Sequence, residues 1–336
     1  MLNNNYPIDM VYLWCDGNDP AFAARKNYYQ EKEGLPKSDS SRTGQARFFD
    51  NDELKYSLRS LEMYVPWISH VFIVTDRQCP KWLNINNPKV TLIDHSEILP
   101  PNLIPCFNSS VIEAYIWRIP GLSEHFLYGN DDMFFYKPLS PDFFFTQGKP
   151  IARLKFDEEI KKIRNSNDFK SEYTRVALWY KNLMYTWKLL YLKYGKFNQF
   201  EAHHNIDGYL KSSFFNTYLN YKESIEKNAS RFRAEQNIDR CLFILDPVYN
   251  GASIPKLLHK PHHWRKKIAP FIKLNLDSLY AEDTPNSLRT IERLHPALFC
   301  VNSAISGNIQ KNKRAALEFY QRNFPFPSSF ELPNRQ

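Results

Sequence analysis

Over the first 140 positions, short apolar runs that end in turn residues alternate with stretches whose apolar residues recur every three or four. Residues 10–14, Met-Val-Tyr-Leu-Trp, read as a buried strand stopped by Cys15-Asp16-Gly17-Asn18-Asp19-Pro20. Residues 71–74 and 90–93 repeat the pattern and run into Asp76 and Asp94, while residues 126–128 run straight into Gly129-Asn130-Asp131-Asp132. Between the first two strands, Leu54, Leu58, Leu61 and Val65 form one helical stripe opposite Asp52, Lys55, Arg59 and Glu62. Asp50 or Asn51 is its expected cap and Pro66 its stop. A second helix is expected from Ser109 or Ser110 to Pro120, with Glu113 closing a capping box on Ser110. Such alternation predicts an α/β fold with a parallel sheet, where ligands bind at the carboxyl ends of the strands. Asp16, Asp76, Asp94, Asp131 and Asp132 fall there.

Beyond residue 150 the pattern changes. Residues 168–194, 207–226 and 310–322 read as helices, so a Rossmann-like core over 1–150 and a mainly helical part over 151–336 are expected. The aromatic stripe from Trp179 to Tyr194 reads as core or interface packing, and residues 34–46 read as a surface loop. No nucleic-acid-binding signature accompanies the aromatics, so no nucleic-acid partner is expected.

Composition narrows the chemistry. The 336 residues include 10 glycines, no two closer than eight positions. A Walker A loop needs glycines five apart, and a dinucleotide fingerprint needs them two and three apart. Phosphate must therefore be held by side chains, a metal or isolated backbone donors. The net charge of +8 favours anionic partners. Five cysteines without CxxC spacing argue against a disulfide framework and for a reducing compartment. No signal-peptide pattern and no run of 18 apolar residues is present, so a cytoplasmic protein is expected.

Three constellations carry the candidate chemistry. Asn130-Asp131-Asp132 follows a strand in apolar surroundings, where adjacent carboxylates are costly unless paired or bound to a cation such as Mg²⁺ or Mn²⁺. The segment from Arg47 to Glu53 opens a helix whose N-terminus suits an anion, with Arg59 two turns on. His203 is followed thirty residues later by Arg231-Phe232-Arg233, a possible acid/base and phosphate clamp. His259, His262 and His263 match no zinc spacing.

Residues 8–20, IDMVYLWCDGNDP, resemble the first signature block of the Stealth family. Residues 47–67 with 108–135 resemble its second block, 202–239 its third and 300–331 its fourth. That family contains bacterial capsular-polysaccharide phosphotransferases and the animal N-acetylglucosamine-1-phosphotransferase. The resemblance implies a nucleotide-sugar transferase core of GT-A-like type and transfer of a hexose-1-phosphate from a UDP-sugar to a glycan hydroxyl, with release of UMP. It also implies Asp132, His203 and Arg233 as catalytic residues. On the chemistry of the motif, Asp131 and Asp132 are the expected holders of Mg²⁺ or Mn²⁺. The expected donor site takes Asp16, Gly17 and Asp19 from the first block. From the second it takes Arg47, Asp52, Arg59, Asn108 and Asn130. Two departures stand out: His203-His204-Asn205 replaces the usual His-x-Pro, and Asn302-Ser303 replaces Asn-Asp.

The general base is His203 or Asp132. A peripheral place at the inner face of the plasma membrane, beside capsule machinery, suits such an enzyme. A metal-dependent glycosyltransferase releasing UDP and a non-catalytic polysaccharide-binding protein are the alternatives.

Overall fold

The computed structural model describes residues 6–36, 40–44, 47–156, 177–196, 200–258, 273–275, 278–303 and 309–333. The strands are β1 (Ile8–Leu13), β2 (Val71–Thr75), β3 (Val90–Asp94), β4 (His125–Asn130), β5 (Met133–Phe135), β6 (Phe145–Thr146) and β7 (Lys149–Phe156). They continue as β8 (Phe200–Ala202), β9 (Asp207–Leu210), β10 (Ile254–Leu257), β11 (Lys273–Asn275), β12 (Ser278–Glu282) and β13 (Leu298–Asn302).

The first sheet runs β3-β2-β1-β4-β9. Its first four strands are parallel, and β9 returns antiparallel to β4. The mixed α/β fold expected from the alternation is thus present. β1 is buried at every position, as a strand covered on both faces must be. A second sheet gathers β10, β7 and β6 with β8, and a third runs β11-β12-β13-β5. Strands from beyond residue 150 join all three sheets. Among the described residues helix exceeds strand in that half, and the helix Leu178–Tyr194 buries Leu183, Trp187 and Leu190 while leaving Tyr191 exposed.

The helix Glu53–Tyr64 lies under β5. Its apolar stripe buries Leu54, Leu58 and Leu61, and two serines lock the register. Ser57 Oγ donates to the Met133 carbonyl at 2.6 Å, and Phe135 N–H donates to Ser60 Oγ at 3.1 Å. The opposite, charged stripe packs on the C-terminal tail, where Ser329 N–H donates to Glu62.

Four expectations change. The helix Glu53–Tyr64 has its N-cap at Asp52 rather than at Asp50 or Asn51. The second helix is one short turn, Ser109–Glu113, followed by a 3-10 turn. Its cap is Asn108, and the expected box on Ser110 does not form because Glu113 turns inward to meet Tyr128. Residues 207–210 form β9 rather than the start of a helix. Within the expected loop 34–46, residues 40–43 form a helical turn. Among the described residues no helix is long and apolar enough to cross a membrane.

Candidate active site

The sharpest sequence motif sits at a junction between sheets. Asn130 ends β4, paired with Leu13 of β1, and Asp131-Asp132 make the turn into β5 of the third sheet. Gly129 precedes them because a Cβ there would lie 2.9 Å from Ile206 Cγ1. β13 grips the turn from the far side. Val301 N–H donates to the Asp132 carbonyl at 3.0 Å, and Cys300 Sγ donates to Asp132 Oδ2 at 3.4 Å. Asp132 Oδ1 is buried and has no hydrogen-bond partner.

Like charges crowd this corner. Burial, then Asp132, pushes the Asp131 carboxyl well above the usual range, with Glu53 and Asp50 adding to the effect. Burial raises Asp132 to about 7, with Cys300 opposing and Glu53 reinforcing the rise. Burial and the charge of Glu53 raise Asp50 to about 7. A divalent cation would reverse the cause, because carboxylates crowded without a counter-charge are what such ions stabilise. The residues present therefore fit Mg²⁺ or Mn²⁺ held by Asp131 and Asp132. No three His, Cys, Asp or Glu side chains form a complete cage among the described residues, so substrate oxygens or water would complete the coordination.

The loop after β1 is braced beside this corner. Asp16 exchanges main-chain hydrogen bonds with the Gln78 amide at 3.1 and 2.9 Å, and its Oδ1 accepts from Asn18 N–H at 2.8 Å. Gly17 N–H donates to the Phe48 carbonyl at 2.5 Å, and a Cβ would meet that oxygen at 2.4 Å. Asp19 caps the helix Pro20–Lys32 through Phe22 N–H. Two strand-end acids are otherwise engaged: Asp76 pairs with Arg25 at 3.0 Å, and Asp94 caps the turn His95–Ile98.

Arginines gather around Glu113 and Tyr128. Arg233 Nη2 donates to Ser109 Oγ at 2.7 Å, and its charge faces Glu113 and Asp239. Arg240, which the motif reading missed, lies 3.2 Å from Asp207 Oδ2 and 5.6 Å from the centre of the Tyr128 ring. Its proximity in sequence to the RFR run was the available signal. Tyr128 links Glu113 to Asn130, its Oη 2.8 Å from Glu113 Oε1 and 2.9 Å from Asn130 Oδ1.

His203 is buried, with Nε2 at 2.6 Å from Asp207 Oδ1 and Nδ1 without a partner. Burial lowers its pKa while Asp207 opposes the shift. Its neighbour His204, also missed, is half-buried beside Tyr280 and is driven down to about 3 by burial and then by Arg240 and Lys155.

Other expected ligands lie elsewhere or serve the fold. Arg59 is corrected outright: Nε and Nη2 donate to both oxygens of Glu331 at 2.7 Å, and Nη1 donates to the Phe324 carbonyl. Its donors are consumed by the C-terminal tail. Asn108 is fully buried and donates to the Ser230 and Phe232 carbonyls and to Asn237 Oδ1. It holds the arginine segment in place rather than facing a ligand. Arg231 is tied to Glu33 and to the Asn102 and Ile104 carbonyls. Arg47 is exposed and donates to the Ser41 carbonyl, and Asp52 opens its helix with φ of 63°. Asn302, at one family departure, donates to Tyr280 Oη at 2.7 Å. His259, His262 and His263 lie outside the described residues.

Comparison with known proteins places two conserved regions of the Stealth proteins on this chain, region 1 over residues 6–34 and region 2 over 47–152. A capsular polysaccharide phosphotransferase of Neisseria meningitidis serogroup B is 32% identical over 329 residues, covering 95% of this chain and 82% of that protein. An exopolysaccharide phosphotransferase of Streptomyces coelicolor is 50% identical over 145 residues, 43% of this chain. The matched stretch spans 24% of that protein's length, and in a capsular polysaccharide phosphotransferase of Aeromonas hydrophila it spans 42%. Among solved structures, the galactosyltransferase LgtC with donor and acceptor sugar analogues overlaps 92% of this chain and 95% of its own at TM-score 0.38 and 10% identity.

Proposed function

The chain belongs to the Stealth family of phosphotransferases, and on that premise we propose that it transfers hexose-1-phosphate from a UDP-sugar to a glycan hydroxyl. The observation that carries this reading is the Asp131-Asp132 turn with its buried, unpartnered Asp132 Oδ1, linked through Asn130 and the Tyr128 hydroxyl to Glu113, whose carboxyl feels the charges of Arg240 and Arg233. A diphosphate needs both a cation site and fixed positive charge, and a chain without a glycine loop must supply them from side chains.

The hydroxyl oxygen attacks the β-phosphorus in line, the bond from that phosphorus to the bridging oxygen breaks, and UMP departs with it. Positioning and charge stabilisation dominate such transfers. Arg233 offsets charge on the transferring oxygens, and Arg240, whose donors are held by Asp207 and by the His203 and Asn205 carbonyls, adds fixed positive charge to the site. His203 takes the hydroxyl proton at Nδ1, while Asp207 fixes the ring through Nε2. Asp132 is the competing base. Asp131 and Asp132 would hold Mg²⁺ or Mn²⁺, which would supply charge neutralisation at the diphosphate. In this reading, residues 1–150 form the donor core. Residues 151–336 supply the acceptor side at the cytoplasmic face of the membrane.

Incubating the protein with UDP-sugars and capsule oligosaccharides tests the proposal. UMP together with a phosphodiester signal in phosphorus NMR is expected. Release of UDP would replace the reading with glycosyl transfer, and polysaccharide binding without turnover would replace it with a scaffold.

A further inference from the structure

Strand β13 reaches the Asp131-Asp132 turn with a thiol. Cys300 is fully buried and sits opposite Met133 in the antiparallel pairing of β13 with β5. Two contacts hold Asp132 from this strand: Val301 N–H on its carbonyl and Cys300 Sγ on Oδ2. The carboxylate is therefore fixed through the main chain and through one oxygen. The other oxygen, Oδ1, stays buried and unpartnered. A buried carboxylate oxygen without a donor costs free energy unless a ligand meets it.

We propose that Cys300 is a positioning residue for the metal carboxylate, holding Asp132 Oδ2 so that Oδ1 is presented to a divalent cation. This rests on the cation reading of the Asp131-Asp132 turn. A thiol suits the task for two reasons. It is a weak donor, so it orients the carboxylate without neutralising it, and it tolerates burial as a small apolar group. Hydrogen bonds to metal-bound carboxylates commonly set affinity as strongly as the ligands' own orientation does. The sequence carries this only as an unremarkable Phe-Cys-Val in a strand. The role arises because β13 is paired with β5, whose first residue follows Asp132.

The test is Mn²⁺ binding to the purified full-length chain, read from the electron paramagnetic resonance of free Mn²⁺, without any assay of transfer. The wild type should bind, and Asp132→Asn should not. Cys300→Ala and the volume-filling Cys300→Val should each weaken Mn²⁺ binding by about 10- to 100-fold. Cys300→Ser, which keeps a donor, should stay within a factor of about three of the wild type. Using two donor-free variants keeps the test decisive if one of them fails to fold. Wild-type affinity in Cys300→Ala or Cys300→Val, with binding lost in Asp132→Asn, would overturn the positioning role alone. Binding retained by Asp132→Asn, or absent from the wild type, would remove the cation reading and the proposal with it.

Discussion

His203 Nε2 and Asp207 Oδ1 stand 2.6 Å apart, both side chains buried, with Arg240 on the other carboxylate oxygen at 3.2 Å. A buried histidine whose one nitrogen is held by a carboxylate has its ring orientation and tautomer set by that carboxylate. His203→Ala should lower kcat by about 10²–10⁴-fold. Asp207→Asn should lower kcat more than it raises the donor KM. Full activity in purified, folded His203→Ala would remove this histidine from the chemistry and leave Asp132 as the base.

Arg240 and Arg233 are expected to act in turnover. Replacing Arg240 by Lys preserves charge but not the planar fork that meets Asp207 and overlies Tyr128. Steady-state kinetics of Arg240→Lys and Arg233→Ala should show kcat reduced by about 10²–10³-fold. Unchanged kcat in both would dissolve the cationic half of the site.

Arg59 should behave in the opposite way. Its guanidinium is paired with Glu331, with the two side chains 9% and 7% exposed. Arg59→Ala should cost roughly 2–3 kcal/mol in urea unfolding, the scale of hydrogen bonds to a charged group. Activity per folded molecule should persist. A selective loss of kcat at unchanged stability would restore a ligand role to Arg59.

Metal-free stability should fall as pH rises. Folding raises Asp50 and Asp132 to about 7, against an ordinary aspartate value near ~4 in the unfolded chain. Between those values the folded state holds more protons than the unfolded one, so unfolding free energy decreases with increasing pH. Melting temperature in EDTA should therefore drop from pH 5 to pH 7, and Mn²⁺ should raise it more at pH 8 than at pH 5. Equal Mn²⁺ shifts at the two pH values would contradict a carboxylate cation site.

Gly17→Ala probes the donor loop. The added methyl would overlap the Phe48 carbonyl at 2.4 Å and break the Gly17–Phe48 hydrogen bond. A destabilisation of roughly 1–3 kcal/mol is expected, with a raised donor KM. Wild-type melting and wild-type KM would show the loop to be free to move away.

The parallel sheet was legible because strands buried on both faces read as apolar runs, as 10–14 and 71–74 do in β1 and β2, while the edge strand β3 leaves Thr91 exposed. The helix Glu53–Tyr64 was legible because its apolar stripe repeats at helical spacing. The turn from Ser109 to Glu113 was misread, since a capping pattern is local and the pull of Tyr128 on Glu113 is not. The Asn130-Asp131-Asp132 motif announced itself by its chemistry, whereas Arg240 and His204 are marked only by lying near the RFR run and beside His203. Their significance comes from β9 and the segment 230–240 folding back onto β4.

The sequence by itself determined the strands β1 to β4 with the helix Glu53–Tyr64 between the first two, the absence of a glycine phosphate cradle, and the carboxylate pair at a strand end. Apolar period and local turn chemistry are short-range, and the chain encodes them directly. Tertiary structure alone decided which charges are spent and which are left for a ligand. Arg59 and Asn108 looked available until Glu331 and the segment 230–237 came to meet them, from 272 and more than 120 positions away. The sequence marked Asp132 as a ligand without saying which oxygen faces it; Cys300, 168 positions on, takes one oxygen and leaves the other without a partner. A charge is paired or free according to what lies within a few ångströms of it, and that is fixed by the packing of distant segments.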